Sequence, residues 1–164
     1  MMNSDNVLSL LAAIREAGLD VWIGGGWGID ALLGEQTRPH RDLDLMHRAE
    51  QERRLLDVLG GLGFAETLDW RPVRFVMSGP GGLEIDLHPL RFNDDGSAEQ
   101  SSMEESEPFR YPADCFVTGA IGGRTVPCLS AAQQVHFHQG YEPTERDLAD
   151  MAHLRGAFGI PTHF

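Results

Sequence analysis

The segment from Gly24 to Leu45 reads GGGWGIDALLGEQTRPHRDLDL and combines three consecutive glycines with two aspartates one residue apart. Glycine loses much conformational freedom on folding and neighbouring carboxylates repel each other, so an ordinary core favours neither feature. A short apolar run, Val21–Ile23, precedes the glycines, and WGIDALL follows them before Gly34. The predicted order is a strand, a glycine turn, a helix over residues 27–33 and a second strand from Arg41 to Met46.

In the second strand, Asp42 and Asp44 alternate with Leu43 and Leu45. Because successive strand side chains point to opposite faces, both carboxylates project from one face. Two like charges at this spacing persist when a cation lies between them or when solvent screens them. Magnesium, which prefers oxygen ligands, is the expected companion, and a solvated face of an edge strand is the alternative.

A second strand with alternating acidic residues is predicted at residues 83–88, joined by the turn sequence GPGG to a strand at residues 71–78. This pattern predicts an antiparallel hairpin. One face of the strand at residues 83–88 carries Glu84, Asp86 and His88. Asp86 could therefore supply a third oxygen ligand, whereas His88 is expected to have a structural or supporting role.

The glycines after the first strand would let backbone N–H groups and a helix N-terminus approach an anion closely. Phosphate is the expected anion. The spacing matches neither the dinucleotide-binding nor the P-loop pattern, so a tight turn without a ligand is the alternative.

The remaining elements are predicted from hydrophobic spacing and from capping residues. Helices are expected at residues 4–17 with Ser4 as cap, at about 50–62, at about 130–139 after Ser130 and at 144–157 after Thr144, the last two as an antiparallel pair. A hairpin is expected with strands at residues 116–121 and 124–128, and the acidic residues 93–107 are expected to form a loop. We predict a single domain, 1–164, with residues 1–92 as catalytic core and residues 93–164 as acidic loop, hairpin and C-terminal helices.

The composition excludes several classes of protein. Thirteen Lys and Arg against 25 Asp and Glu give a net charge of −12, which opposes association with nucleic acid. No apolar run reaches the roughly 18 residues of a membrane span, and the start MMNSDN lacks the features of a signal peptide. Cys115 and Cys128, without metal-binding spacing, are expected to be buried free thiols. We expect a soluble, cytoplasmic protein with neither a nucleic-acid nor a membrane partner.

The glycine turn, the helix and the following aspartate strand resemble the nucleotidyltransferase superfamily that includes DNA polymerase β. The segment WIGGGWGIDALLGEQTRPHRDLDL is similar to the aminoglycoside 2''-adenylyltransferases and the lincosamide nucleotidyltransferases. The segments IDLHPLRFNDDGS, GGRTVPCLS and HFHQGYEPTERDLADMAHL resemble the lincosamide enzymes in particular. The resemblance implies an α/β (α+β) nucleotidyltransferase fold with a mixed, twisted central sheet, flanking helices and a C-terminal helix pair.

The resemblance also implies an activity, namely transfer of AMP or another nucleoside monophosphate from ATP or another NTP to a hydroxyl of a small antibiotic. A lincosamide is the first expectation and an aminoglycoside the second. A protein partner, as in antitoxin-like nucleotidyltransferases, is a further alternative, and some members form homodimers that complete the acceptor site. Two magnesium ions would bind to the three aspartates Asp42, Asp44 and Asp86.

The same resemblance assigns roles to further residues. Asp86 would be the general base for the acceptor hydroxyl, with Glu84 in reserve. The triphosphate would contact the glycines Gly25 and Gly26 and nearby cationic side chains, with Arg38, His40 and Arg41 as candidates. For the acceptor, the candidate contacts besides Glu84 are Trp70, Arg74, Tyr141 and Glu142.

Overall fold

The computed structural model describes residues 1–103 and 107–164. The helices in these residues are α1 (Ser4–Glu16), α2 (Gly25–Leu33), α3 (Glu52–Gly61), α4 (Ala131–Phe137) and α5 (Glu145–Phe158). The strands are β1 (Val21–Gly24), β2 (Asp42–Arg48), β3 (Ala65–Trp70), β4 (Arg74–Ser78), β5 (Glu84–Phe92), β6 (Ala98–Gln100), β7 (Phe109–Tyr111), β8 (Phe116–Ile121) and β9 (Arg124–Leu129). Single turns of 3-10 helix lie at Ala49–Gln51, Pro80–Gly82 and Ala113–Cys115.

The strands form one mixed sheet with the order β3-β4-β5-β2-β1-β9-β8. The pairs β2–β5 and β1–β9 are parallel, and the other neighbours in this order are antiparallel. The short strands β6 and β7 extend the sheet from the end of β5. A mixed sheet with flanking helices was the predicted architecture, and β8 and β9 bring the second half of the chain into the same sheet.

Capping side chains decide where the helices begin. The N-cap of α1 is Asn3, not Ser4 as predicted, because Asn3 and Asn6 exchange side-chain and backbone hydrogen bonds in a capping box. Thr144 caps α5 as predicted and forms a reciprocal capping box with Asp147. These side chains satisfy N–H groups that have no partner within the helix.

The three glycines do not form a separate turn. Gly24 ends β1, and Gly25 and Gly26 are the first residues of α2, so this helix begins two residues before the predicted start. Gly34 ends the helix as predicted, in the left-handed conformation with φ of 77°. The strand therefore passes directly into a helix N-terminus.

Three strands, β3, β6 and β7, were not predicted. β3 was missed because five of its six side chains are exposed, which leaves no apolar alternation to detect. β6 lies inside the acidic segment that was predicted to be a loop, and its Ala98 and Gln100 are buried. Residues 104–106 of that segment lie outside the described residues.

Smaller differences concern element boundaries. The strand predicted from residue 71 begins at Arg74. The helix predicted at about residues 50–62 begins with a 3-10 turn, and Leu62, the last residue of the predicted range, follows the helix and is 43% exposed.

The main core lies on one face of the sheet, against α1 and α3. It contains Leu43, Leu45, Ile85 and Leu87, the apolar residues that alternate with the carboxylates of β2 and β5. Because that face is buried, the carboxylates project from the opposite face. In the described part of the chain, none of the helices is both long and apolar enough to cross a membrane.

A second apolar cluster lies around Met46, Leu90, Tyr111 and Leu129 and includes buried Cys115. A third packs Ile29 of α2 against α4 and α5. The C-terminal helices thus support α2, the helix that begins beside the aspartate strand.

Candidate active site

The strand register brings the predicted carboxylates together. In the parallel pair β2–β5, Asp44 lies opposite Asp86 and Asp42 lies opposite Glu84. In the antiparallel pair β1–β2, Asp44 lies opposite Gly24. The carboxylates therefore meet the end of β1, where α2 begins.

Gly25 and Gly26 make this close approach sterically feasible. A Cβ atom at residue 25 would overlap Oδ2 of Asp44, and Gly25 has a positive φ of 57°. A Cβ atom at residue 26 would overlap the ring of His40 and lie against the Arg38 guanidinium. Side chains from the following segment thus pack against the first turn of α2, which glycine alone permits.

The cationic candidates lie in different environments. His40 is 3% exposed, and its Nε2 lies 2.5 Å from Oδ2 of Asp30. Arg38 Nη2 donates to Asp150 of α5 at 2.8 Å, and Nη1 lies 3.0 Å from Nδ1 of His40. The burial of His40 argues against direct contact with phosphate and for a supporting role behind Gly26.

The other two cationic candidates are accessible to solvent. Arg41 is exposed immediately before β2, and Arg38 retains 24% exposure of its side chain. Both therefore remain predicted phosphate contacts.

Like charges and desolvation shape the electrostatics of the site. Asp42 is exposed on the sheet, but partial desolvation beside its neighbours raises the pKa of its carboxyl, and the charges of Asp44 and Asp86 raise it further. Burial also raises the pKa of Asp86, and Asp44 adds to this effect while His88 and Arg74 oppose it. Oδ1 of Asp86 is buried and has no hydrogen-bond partner among the described residues. Such a site attracts a cation.

Arg74 provides a positive charge within the protein. Its Nη1 donates to Oδ2 of Asp86 at 2.7 Å, and its Cζ lies 4.6 Å from the centre of the Trp70 ring. Trp70 is 46% exposed at the end of β3. The predicted acceptor residues Trp70 and Arg74 are therefore in contact with each other beside a predicted metal ligand.

Two clefts open beside the carboxylates, and Arg74 lines both. One, of about 670 Å³, is lined by Asp42, Glu84 and Asp86 together with residues of β3 and β4. The other, of about 360 Å³, reaches from Gly25, Asp44 and His88 to an apolar wall. The wall consists of Met46, Val73, Phe109, Tyr111, Leu129 and Phe137.

Tyr141 and Glu142 were predicted to contact the acceptor, but neither lines these two clefts within the described residues. Tyr141 packs against Phe164, with ring centres 5.0 Å apart, in the segment before α5. Both residues therefore lie outside the lining of these two clefts and stay predicted acceptor contacts.

Several cleft residues were not found from the sequence. Gln100, Phe109 and Tyr111 belong to β6 and β7, which extend β5 across the cleft. The aromatic pattern of Phe109 and Tyr111, on either side of Arg110, was the available signal. Gln100, within an acidic segment expected to be a loop, gave none.

The donor groups fit a divalent cation. Ligand atoms of Asp44, Asp86 and His88 lie within 4.8 Å of one another, which in residues 1–103 and 107–164 is the one such group of three. Oδ1 of Asp86, which has no hydrogen-bond partner among the described residues, could coordinate such an ion. Asp42, the third predicted metal ligand, starts β2 and lies outside this group.

Comparisons with known proteins identify related sequences and structures. The sequence profile described as aminoglycoside-2''-adenylyltransferase matches residues 6–154. A lincosamide resistance protein of Staphylococcus haemolyticus is 34% identical over 134 residues, which cover 82% of this chain and 83% of that protein.

A 2''-aminoglycoside nucleotidyltransferase of Klebsiella pneumoniae is 35% identical over 128 residues, 74% of this chain but only 64% of that relative's length. Among solved structures, the lincomycin-bound lincosamide antibiotic adenylyltransferase LnuA superposes with a TM-score of 0.85 at 30% identity. The alignment covers 94% of this chain and 97% of LnuA, so the resemblance extends through the C-terminal helices.

Proposed function

Because this chain belongs to the aminoglycoside-2''-adenylyltransferase family and is thus a nucleotidyltransferase, we propose that it transfers AMP from ATP to a hydroxyl of a lincosamide antibiotic. The observation that carries the proposal is the juxtaposition of Asp44 and Asp86 with the N-terminus of α2 at Gly25. Carboxylates for a metal ion and backbone N–H groups for phosphate then face the same space.

Asp44 and Asp86 would hold the magnesium ion, with Asp42 as a further oxygen ligand at the start of β2. The unpartnered Oδ1 of Asp86 and the mutual repulsion of these carboxylates support this assignment. A bound Mg²⁺ would neutralise charge on the triphosphate and on the transferred phosphoryl group.

The protein's own groups would orient the two substrates. N–H groups of Gly25 and Gly26 would bind phosphate oxygens, and Arg38 and Arg41 would balance their charge. Asp86 would accept the proton of the acceptor hydroxyl as that oxygen forms its bond to the α-phosphorus and pyrophosphate leaves, with Glu84 as the alternative base. The raised pKa of Asp86 favours this role, because a raised pKa makes a carboxylate a stronger base.

The shape of the second cleft supports a lincosamide as acceptor. Its wall is almost wholly apolar and includes Met46, Phe109 and Phe137. A lincosamide joins a hydroxylated sugar to an alkylated proline, so it has an apolar part that such a wall can bury. An aminoglycoside has several ammonium groups and no comparable apolar part.

One observation favours an aminoglycoside as the second candidate. The larger cleft is lined by Asp42, Glu84 and Asp86, with Arg74 as its basic side chain. This acidic lining, in a chain of net charge −12, would attract a polycation. An assay with both antibiotic classes separates the two candidates.

The test is pyrophosphate release from ATP and Mg²⁺ with lincomycin, clindamycin, kanamycin and tobramycin offered separately. We expect release with the lincosamides, none without Mg²⁺ and none from Asp44→Asn. Asp57→Asn, which changes an exposed carboxylate on α3, is the matched control and should behave as wild type.

Release with kanamycin or tobramycin alone would replace the lincosamide assignment by the second candidate. Release from Asp44→Asn at the wild-type rate would refute the metal site. Silence with all four acceptors would overturn the proposed substrate class.

A further inference from the structure

A chain of hydrogen bonds leads from the apolar cleft wall to the aspartates. Tyr111 donates its hydroxyl to Oε1 of Gln100 at 2.6 Å. Nε2 of Gln100 donates to the carbonyl oxygen of Val73 at 2.9 Å and lies 3.1 Å from Nδ1 of His88. On the other side of the ring, Nε2 of His88 lies 3.1 Å from Oδ1 of Asp44.

The direction of each bond follows from its chemistry. A backbone carbonyl only accepts, so the amide nitrogen of Gln100, and not its oxygen, faces Val73. The second hydrogen of that nitrogen points to Nδ1 of His88, which must then accept. Burial raises the pKa of Tyr111, so its hydroxyl keeps its proton and donates to the amide oxygen of Gln100.

The histidine is thereby restricted to one tautomer. A neutral imidazole that accepts at Nδ1 has its hydrogen on Nε2. That hydrogen points to Asp44 Oδ1, and Asp86 Oδ1 lies 3.7 Å from the same nitrogen. The lone pair that could bind a metal is on Nδ1, on the side of Gln100.

We propose that Gln100 and Tyr111 are positioning residues for nucleotidyl transfer, which hold His88 as a hydrogen-bond donor to Asp44 rather than as a metal ligand. This inference rests on the proposed function. It deepens that proposal by leaving the metal ion with oxygen ligands only, a set that suits Mg²⁺ rather than Zn²⁺.

The arrangement also distinguishes the two oxygens of Asp44. His88 engages Oδ1, while Oδ2 lies against Gly25 at the start of α2. Gln100 is 5% and Tyr111 2% exposed, so the hydrogen bond between these two side chains is shielded from water and their polar groups depend on one another. A displacement of the cleft wall at Tyr111 would therefore reach Asp44 through two side chains.

The first test observes the tautomer directly. ¹⁵N NMR of histidine-labelled protein, with the His88 signals assigned by their absence in His88→Gln, reports which ring nitrogen carries hydrogen. We expect hydrogen on Nε2 of His88 in metal-free protein and in saturating Mg²⁺, and a loss of this preference in Gln100→Met. Hydrogen on Nδ1, or an Nε2 that loses its hydrogen when Mg²⁺ binds, would overturn the inference.

The second test uses two amides in place of the ring. The side-chain nitrogen of Gln in His88→Gln can replace the Nε2–H donor, whereas that of Asn in His88→Asn takes the position of Nδ1. We expect His88→Asn to lower kcat about 10- to 100-fold, the usual cost of losing a group that supports a metal ligand. The kcat of His88→Gln should be about tenfold higher than that of His88→Asn. Equal loss in both variants would refute the donor role.

Tyr111→Phe removes only the hydroxyl and keeps the ring against Phe116 and Phe137. We expect kcat to fall while KM for the acceptor stays within about twofold of wild type, because a group acting through Asp44 affects the chemical step. A rise in KM alone would make Tyr111 a simple wall residue and overturn its part in the proposal.

The NMR result separates this inference from the proposed function, because it needs no turnover. If none of the four acceptors supported pyrophosphate release but Nε2 of His88 carried hydrogen, the proposed substrate class would be overturned and the tautomer assignment would stand. Mg²⁺-dependent transfer with hydrogen on Nδ1 of His88 would support the proposed function and overturn the tautomer assignment.

Discussion

Arg74 donates from Nη1 to Oδ2 of Asp86 at 2.7 Å, so a guanidinium occupies a carboxylate that the proposed metal ion would also bind. The pair is not deeply buried, with side-chain exposures of 27% and 17%. Arg74 therefore balances the charge of Asp86 in the metal-free protein, and a bound metal ion would have to share that carboxylate with Arg74 or displace the guanidinium.

Replacement of Arg74 by Met tests this competition. Arg74→Met should increase the affinity for Mg²⁺ in the absence of nucleotide by up to about fivefold, since a partly exposed ion pair contributes about 0.2–1 kcal/mol. Isothermal titration calorimetry with Mg²⁺ measures the change. Arg91→Met, an exposed arginine on β5, is the matched control for net charge and should have little effect. An unchanged or weaker affinity in Arg74→Met would show that Arg74 does not compete.

Removal of the charge at Asp42 should stabilise the metal-free protein while abolishing transfer. A raised pKa means that the folded protein binds the proton more tightly than the unfolded chain does, so ionisation of Asp42 lowers the free energy of unfolding. This penalty is absent below the ordinary pKa of 3.8, grows as pH rises towards the folded pKa and is complete above it.

In a chelator at pH 7, Asp42→Asn should therefore have a higher Tm than wild type. The difference should shrink as the pH is lowered towards 3.8. Thermal unfolding by circular dichroism checks both statements, with Asp57→Asn as the control carboxylate. A lower Tm for Asp42→Asn at pH 7 would contradict the assigned repulsion.

Gly25→Ala separates the need for a glycine backbone from the need for space. Gly25 and Gly34 have positive φ values of 57° and 77°, but only residue 25 has Asp44 in the path of a Cβ atom. Alanine in this conformation costs about 1–2 kcal/mol at either position. Urea denaturation should show this loss for Gly34→Ala and a larger one for Gly25→Ala, because the added Cβ atom there also overlaps Asp44.

The rate of transfer should fall at least about a hundredfold in Gly25→Ala but not in Gly34→Ala, because displacement of Asp44 by about 1 Å disrupts the geometry for reaction. Steady-state pyrophosphate release checks this difference. If Gly34→Ala lost as much activity as Gly25→Ala, global destabilisation would explain both and the steric argument would fail.

Asp150 holds Arg38 from the C-terminal helix, through bonds of 3.2 and 2.8 Å to Nε and Nη2. Asp150→Asn should lower the free energy of unfolding by about 2 kcal/mol, because it weakens hydrogen bonds to a charged group around a buried carboxylate. Urea denaturation measures this. Asp20→Asn, which breaks the exposed pair with Arg48, should cost less than about 1 kcal/mol. Equal costs would mean that the link between α5 and the segment before β2 is not structural.

The alternation of residues in β2 and β5 was sufficient to predict which side chains share a face. Leu43 and Leu45 are buried and Asp42 and Asp44 are not, as the period of two requires. The hairpin of β4 and β5 was equally predictable, because the glycine-rich turn between the strands is local.

Other parts of the site had no local signal. Gln100 reads as a polar residue in an acidic segment, yet it is buried because β6 pairs with the end of β5 and its amide meets Val73. His40 reads as a basic residue near a phosphate site, yet Asp30 and Arg38 enclose it. In both cases at least one partner, Val73 for Gln100 and Asp30 for His40, lies on a different segment of the chain, so composition could not predict the environment.

The sequence by itself therefore determined the faces of the strands, the glycine-rich junction between the first strand and the next helix, and the family, because side-chain alternation, backbone freedom and ordered motifs are local properties of the chain. Only the tertiary structure decided that Asp44 lies opposite Asp86, that Arg74 neutralises Asp86 and that His88 is aimed at Asp44. The physical reason is that strand order and register follow from burial of the whole sheet, and hydrogen-bond direction follows from groups that only the folded chain brings together.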